Sequence, residues 1–270
     1  MDDATTDSAG TGADDGTSAR PGSPEIGDAF GELLRDHHAG EETYQIIERD
    51  DGWIGPSAGG EFYFAPVEEW TDLERRAMDH AEGRILDVGC GAGRHALYLQ
   101  EEGHDVTGID LSPGAVAVAR ERGVEDVREV DVADVAEAFD ADTFDSVIMM
   151  GNNFGLVGTA DRAPEILDAL AEVATEDATL VAQSRDPTVT DDEDHRSYHE
   201  FNRDRGRLPG ALRIRVRYGG LATEWDDYLM AAPETMADLA AETPWDPAET
   251  LEPDEQLTDA GGDYVGILTR

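Results

Sequence analysis

From Arg84 onward, short apolar runs alternate with longer amphipathic stretches, the pattern of strands joined by crossover helices in a parallel sheet. Strands are expected at 84–88 (RILDV), 105–109 (DVTGI), 127–130 (VREV), 144–150 (FDSVIMM) and 178–184 (ATLVAQS). Helices over about 93–102, 113–122 and 161–174 fill the crossovers, and VADVAEAF leaves room for only a short one between the third and fourth strands. Upstream, 28–39 can form an amphipathic helix, YQIIERDDGWIGPSAGGEFYFAP a hairpin or ordered loop, and 67–81 a further helix. After the fifth strand the pattern changes. Residues 186–209 are polar and predict a flexible cap, followed by a hairpin that turns at Gly219-Gly220. PETMADLAAET then reads as a helix with Pro in its first turn, and 246–251 and 263–269 as two closing strands.

Composition changes this picture in one respect. The 270 residues carry 62 Asp and Glu against 20 basic side chains, all of them Arg, for a formal charge of −42. Such a chain repels itself in dilute salt, and at molar salt a Debye length of about 3 Å screens most of the repulsion. The composition resembles that of halophilic archaeal proteins. The hydrophobic share of 39% suits a globular core, and no apolar run is long enough to span a bilayer. The first 25 residues are acidic, with little to bury and no secretory pattern, so they predict a disordered tail on a cytoplasmic protein. Cys90 is the single cysteine, and no metal-ligand cluster is evident.

The sharpest motif is Ile85-Leu86-Asp87-Val88-Gly89-Cys90-Gly91-Ala92-Gly93, where an apolar strand runs into a helix. Glycines there let the backbone turn tightly and admit a ligand, and the helix start offers free N–H groups to an anion. A dinucleotide fingerprint needs a glycine at position 94, which holds Arg94, so the spacing disfavours NAD. An acid at the end of the second strand, Asp110, lies 21 residues after Gly89, where it can accept hydrogen bonds from ribose hydroxyls.

With Asp131 ending the third strand and FDSVIMMGNNFG following the fourth, this set resembles the class I S-adenosylmethionine-dependent methyltransferases over about residues 83–185. The resemblance implies an α/β fold: a Rossmann-like, doubly wound, seven-stranded sheet, mostly parallel with an antiparallel last strand, here with an inserted β-hairpin cap. It divides the chain into a tail (1–25), an N-terminal helical and hairpin cap (26–82) and a methyltransferase domain (83–270) with its insertion at about 186–230. It implies S-adenosylmethionine as cofactor, held by Asp87, Gly89, Cys90, Gly91 and Gly93, by Asp110 and Leu111, by Asp131 and Val132, and by Met150 and Gly151. Asp131 would meet the adenine amino group, the Val132 amide a ring nitrogen, and Met150 and Gly151 the transferable methyl. Cys90, between two glycines, reads as packing.

Methyl transfer to a sulfonium's partner is an in-line displacement, so alignment and exclusion of water matter more than any one catalytic group. The GNNFG stretch is similar to the GNSF segment of glycine and sarcosine N-methyltransferases, making Asn152 and Asn153 candidates to hold an acceptor, with a plain Asn-Gly turn as the alternative. Tyr198 and His199, with His195, are candidates on a polar stretch that would otherwise be a solvated face. Tyr44, Trp53, Tyr63 and Phe64 either wall an acceptor pocket or pack the N-terminal hairpin. Seven arginines fall between 196 and 217. A two-residue turn at Gly219-Gly220 would set Arg215 against Glu224 and Arg213 against Asp226, while Arg203, Arg205 and Arg207 either grip an acidic acceptor or lie on the cap.

The function expected is methyl transfer to the N or O of a small molecule, by a monomer or homodimer. An RNA or protein methyltransferase and a non-catalytic cofactor binder are the alternatives. The absence of a basic tract argues against nucleic acid.

Overall fold

The computed structural model describes residues 24–254 and 262–270, so the tail expected at 1–25 lies, except for its last two residues, outside the described residues. Strand β1 (Glu25–Ile26) leads into α1 (Ala29–His38), which starts where the Asp28 carboxylate accepts the Gly31 amide at 2.8 Å. A hairpin of β2 (Tyr44–Arg49) and β3 (Ile54–Gly59) runs into the short α2 (Gly60–Phe64). The helix expected over 67–81 is broken. A 3-10 turn, Val67–Glu69, ends at Trp70 in extended backbone, and α3 (Asp72–Met78) restarts under a capping box of Thr71 and Glu74.

Then follow β4 (Arg84–Val88), α4 (Arg94–Glu101), β5 (Asp105–Asp110), α5 (Pro113–Arg122), β6 (Asp126–Glu129), α6 (Val135–Ala138), β7 (Phe144–Met149), α7 (Ala163–Val173) and β8 (Ala174–Asp186). The remainder is α8 (Glu193–Arg203), β9 (Ala211–Tyr218), β10 (Leu221–Ala222), β11 (Asp226–Leu229), α9 (Pro233–Ala240), β12 (Asp246–Leu251) and β13 (Gly262–Thr269).

The main sheet has seven strands in the order β12-β13-β8-β7-β4-β5-β6. Pairs from β8 through β6 are parallel, while β13 runs antiparallel to β8 and β12 antiparallel to β13. This is the Rossmann-like sheet the resemblance implies. Its inner strands are buried on both faces, which is why RILDV and LVAQS read as continuous apolar runs rather than alternating ones. Strand order reverses between β4 and β7, so their carboxyl ends diverge there and open a crevice. On one face α7 buries Ile166, Leu167 and Leu170, and the fully buried Trp245 donates its indole N–H to the Leu167 carbonyl at 2.9 Å.

The N-terminal hairpin and the inserted hairpin, far apart in sequence, form one second sheet, β1-β10-β9-β2-β3, with β11 also on β9. Ile47 of β2 stands opposite Val216 of β9. The turn falls at Gly219-Gly220 as expected, with Tyr218 opposite Leu221, but the register beyond it slips by one residue. Arg213 faces Asp227, not Asp226, and Arg215 pairs with Glu48 on β2 at 2.8 Å instead of with Glu224. Thr223 explains the slip. Its hydroxyl takes the Val216 amide while its own amide donates to the Val216 carbonyl, and one residue is extruded before β11 resumes.

The flexible cap expected at 186–209 is in large part the ordered helix α8. Asp192 caps it on the His195 amide, and Tyr198, His199 and Asn202 are buried. The Tyr198 hydroxyl donates to Asp50 at 2.6 Å and accepts the Arg213 amide, while Asn202 donates to the carbonyls of Pro209 and Ala211. Buried polar anchors hide inside a polar sequence and give no apolar period to read.

The second sheet is tied to the first through α1 and α5. Asp28 accepts the Ser112 hydroxyl and the Gly114 amide, both at 2.8 Å. A Cβ placed at Gly114 would lie 2.5 Å from the Gly31 Cα, so the helices touch backbone to backbone. Gly114→Ala is therefore expected to lower stability by about 1–3 kcal/mol, the usual cost of forcing an extra carbon into close packing. Urea denaturation at fixed salt measures it, and an unchanged midpoint would show that the helices separate without penalty.

Candidate active site

The loop after β4 is shaped by three glycines with φ of +70° (Gly89), +56° (Gly91) and +77° (Gly93), values an L side chain rarely adopts. Gly89 and Cys90 donate their amides to the Ile109 carbonyl, fastening the loop to the end of β5. The glycines serve different ends. A Cβ at Gly93 would strike Val124 at 2.5 Å, so that position allows α4 to pack. A Cβ at Gly91 would find nothing nearer than 3.7 Å, and at Gly151 nothing within 4 Å. These two leave bare backbone facing a cavity of about 1320 Å³.

Asp110 stands over the loop. One carboxylate oxygen accepts the Gly91 amide and the other the Ser112 amide, each at 2.9 Å. Burial nonetheless raises its pKa to about 6, against the lowering effect of those amides. Asp87 is 1% exposed with one oxygen unpartnered, and burial, reinforced by the charge of Asp110, raises it to about 7. Cys90 packs against Gly108, and burial pushes its thiol well above the ordinary range, the opposite of an activated nucleophile. Asp131 accepts the Ala133 amide at 2.9 Å and, with Val132, lines the cavity beyond Asp110. Leu111 is left 60% exposed at the same rim.

The end of β7 forms the opposite wall. Gly151 donates its amide to Gln183 at 2.8 Å, behind the buried Met150. Asn152 adopts a left-handed φ of +68°, its carbonyl accepts the Tyr228 hydroxyl at 2.6 Å, and its buried side-chain oxygen has no partner. Asn153 is committed elsewhere: its amide nitrogen donates to the carbonyls of Val88 and Gly89, bracing the glycine loop.

Residues 85–177 match the family model described as a methyltransferase domain. The solved S-adenosylmethionine-dependent methyltransferase of Bacteroides fragilis, in complex with S-adenosyl-L-homocysteine, is similar over 92% of this chain and 98% of that one, with a TM-score of 0.73 at 27% identity. Residues 85–177 thus form a methyltransferase domain, and the neighbour bound to S-adenosyl-L-homocysteine supports S-adenosylmethionine as its cofactor. Its relatives include a glycine/sarcosine N-methyltransferase of Aphanothece halophytica, 27% identical over 180 residues that make up 62% of each chain. A 2-heptyl-1-hydroxyquinolin-4(1H)-one methyltransferase of Mycobacteroides abscessus is 45% identical over 109 residues, 39% of this chain and 43% of that one. The chain spans about half the length of the curated relatives it matches.

The second sheet roofs the methyltransferase cavity and divides the remaining candidates. Trp53 and Tyr63 line it, whereas Tyr44 is 62% exposed outside and Phe64 packs at a tilt against His37. Tyr198 and His199 also line it. Burial, then the charge of Arg203, depresses His199 to about 4, which keeps its imidazole neutral at pH 7. Arg203, Arg205 and Arg207 do not line the cavity. Arg205 lies over the Phe201 ring and Arg207 pairs with Asp50 at 3.2 Å.

Three contributors escaped the sequence reading: Gln183, Tyr228 and the buried pair Arg94–Glu74. Burial would raise Glu74, but the His95 imidazole beside it, 3.7 Å away, and the Arg94 charge outweigh it and hold the carboxyl at about 2. Gln183 had left a trace, as an amide inside the apolar run LVAQS. Among the described residues no group of three or more His, Cys, Asp or Glu could hold a metal, and no helix is long and apolar enough to cross a membrane.

Proposed function

We propose that the protein transfers a methyl group from S-adenosylmethionine to the N or O of a small-molecule acceptor, in a cytoplasm of high salt. The observation that carries this is the convergence of the glycine loop, Asp110, Asp131 and the bare Gly151 backbone on one roofed cavity. The residues fit the cofactor. Gly91 and Gly151 leave room that a side chain would fill, and the unpartnered Asp87 oxygen sits behind the loop where an ammonium could be reached through water. Asp110 would accept from the ribose hydroxyls, Asp131 from the adenine amino group, and the Val132 amide would donate to a ring nitrogen, with Leu111 covering the base.

S-adenosylmethionine supplies a methyl group already activated on a sulfonium. What the protein adds is alignment and exclusion of water. Tyr228 pins the Asn152 carbonyl and Gln183 the Gly151 amide, fixing the backbone beside which the acceptor must approach. The free Asn152 oxygen can accept a hydrogen bond from an acceptor N–H or O–H. A small acceptor is favoured over RNA because the surface is strongly acidic, whereas phosphate contacts need basic groups. The names of the two relatives point the same way.

Calorimetry with S-adenosylmethionine in about 2–3 M KCl, where surface charge is screened, tests the reading, with NADH as control. Micromolar binding of the donor and none of NADH is the expected result. A folded protein that ignores the donor ends the proposal.

A further inference from the structure

Resting on the methyl-donor reading above, we infer that the acceptor is a bulky, predominantly apolar molecule seated against the inner face of the second sheet, not a small zwitterion. The first reason is room. The cavity, at about 1320 Å³, exceeds the roughly 300–1,000 Å³ typical of a pocket for one drug-sized ligand. Its lining takes in Asp131 and Asp110 as well as Trp53 and residues of α8, so the space extends past the glycine loop to the inner face of the second sheet.

The second reason is the wall. The two-residue period of β9 puts Leu212, Ile214 and Val216 on one face, with Ile47 of β2 opposite Val216. All four line the cavity, all are only half-buried, and none belongs to or packs against a hydrophobic core of the protein. A β-sheet face of aliphatic side chains is stable when something apolar covers it. Here the described residues leave it open to the one space that continues into the donor site, so a ligand that occupies the site is its natural cover.

The third reason is charge. A small amino acid would need a free cation for its carboxylate. Of the five arginines lining the cavity, Arg49 pairs with Asp51, Arg94 with Glu74, Arg185 with Asp263 and Arg215 with Glu48. The fifth, Arg162, is exposed to water at the head of α7. Arg49 is held further by stacking on Trp53 and Tyr198, at 4.6 and 4.4 Å from the ring centres. Anchoring a carboxylate on any of the four would cost an existing ion pair.

The test uses the full chain in about 2 M KCl. S-adenosyl-L-homocysteine is titrated first, then 2-naphthol, glycine and sarcosine are titrated separately into the loaded protein, with heat and tryptophan emission recorded. The expected result is micromolar binding of 2-naphthol with quenching that Trp53→Phe largely removes, and no heat from glycine or sarcosine. Ile214→Asn should weaken 2-naphthol about tenfold while leaving homocysteine-ligand affinity unchanged, since one buried aliphatic contact is exchanged for an amide. Leu212→Ala, which only trims the wall, should weaken it about threefold and guards against misfolding of the Asn variant. Binding of glycine or sarcosine in preference to 2-naphthol, no response to millimolar 2-naphthol, or unchanged 2-naphthol affinity in both wall variants overturns the inference while leaving the donor reading intact. Failure of S-adenosyl-L-homocysteine to bind brings down the donor reading and this inference with it.

Discussion

Asp110→Ala is expected to weaken binding of S-adenosylmethionine by at least about a hundredfold. That figure follows from two hydrogen bonds to a charged acceptor, each worth about 1.5–3 kcal/mol, against tenfold in affinity per 1.4 kcal/mol. The substitution also frees the Gly91 and Ser112 amides that Asp110 holds at 2.9 Å, so the glycine loop loses one of its ties to the end of β5. Asp110→Asn keeps the volume and one acceptor oxygen, and its loss should be smaller. The wild-type protein should show the same dependence through pH. Burial has raised Asp110 to about 6, so donor affinity is full at pH 8 and falls as the pH drops through 6, where the carboxyl gains a proton and loses acceptor capacity. Titration calorimetry between pH 5 and 8 at constant salt follows both effects. Equal affinity for wild type and Asp110→Ala would remove Asp110 from the donor site.

The second large effect concerns Asp87 and stability. A carboxyl shifted from 3.8 to about 7 by burial has its ionised form penalised by roughly 4 kcal/mol in the fold. Because the folded value lies above the unfolded one, the native protein binds more protons than the unfolded chain in this window. The stabilising contribution is complete below pH 3.8 and is lost as the pH rises through about 7. Ligand-free protein should therefore lose stability between pH 5 and 8, and Asp110 adds a change of the same sign ending near pH 6. Asp87→Asn removes the larger part: at pH 8 the variant should be the more stable protein by up to about 4 kcal/mol, and at pH 4 the two should converge. Its donor affinity should fall, since the unpartnered oxygen is replaced. Urea denaturation at pH 5 and pH 8 in molar KCl measures the difference, the salt holding surface repulsion constant. A variant less stable than wild type at pH 8 would mean that the ionised carboxylate is used structurally.

Destabilisation of this kind fits a site kept ready for a ligand. Burial raises the carboxyls of Asp87 and Asp110, Asn152 holds a left-handed φ, and Asp110 and Asn152 line the cavity. The rest of the fold compensates with apolar packing of the main sheet and its helices.

Local chemistry was legible in the sequence wherever it depends on neighbours in the chain. The strands β4, β5, β7 and β8 announce themselves because their central residues are buried on both faces, so apolar side chains run together there instead of alternating. The glycine loop, Asp110 and Asp131 were readable because each falls at a strand end, where backbone geometry alone requires a turn or a cap. The position of the Gly219-Gly220 turn follows from the same kind of local constraint. The helix over 67–81 was only half right, since Thr71 and Glu74 form a capping box that restarts it, a signal present in the sequence as T-x-x-E.

Contacts between distant segments were not legible. Nothing in YQIIER or LRIRVRY says that these strands pair with each other, so the acceptor roof had no single-segment signature. The partner of Arg215 depended on a one-residue slip at Thr223 and on the presence of Glu48 on the other side, and hydrogen bonding decided it. Asn152 and Asn153 are adjacent and chemically alike. Only the fold turns one toward the carbonyls of Val88 and Gly89 and leaves the other's oxygen buried without a partner. α8 was read as a flexible polar cap because its anchors are a Tyr, a His and an Asn whose burial is made favourable by Asp50, Pro209 and Ala211 from elsewhere in the chain. By itself, then, the sequence determined the order of strands and helices through the main sheet and the placing of the glycine loop, Asp110 and Asp131 at its strand ends, since those follow from local periodicity and backbone geometry. The tertiary structure alone decided which side chains of the second sheet face the cavity, because that depends on pairing between segments more than 150 residues apart, such as Ile47 and Val216.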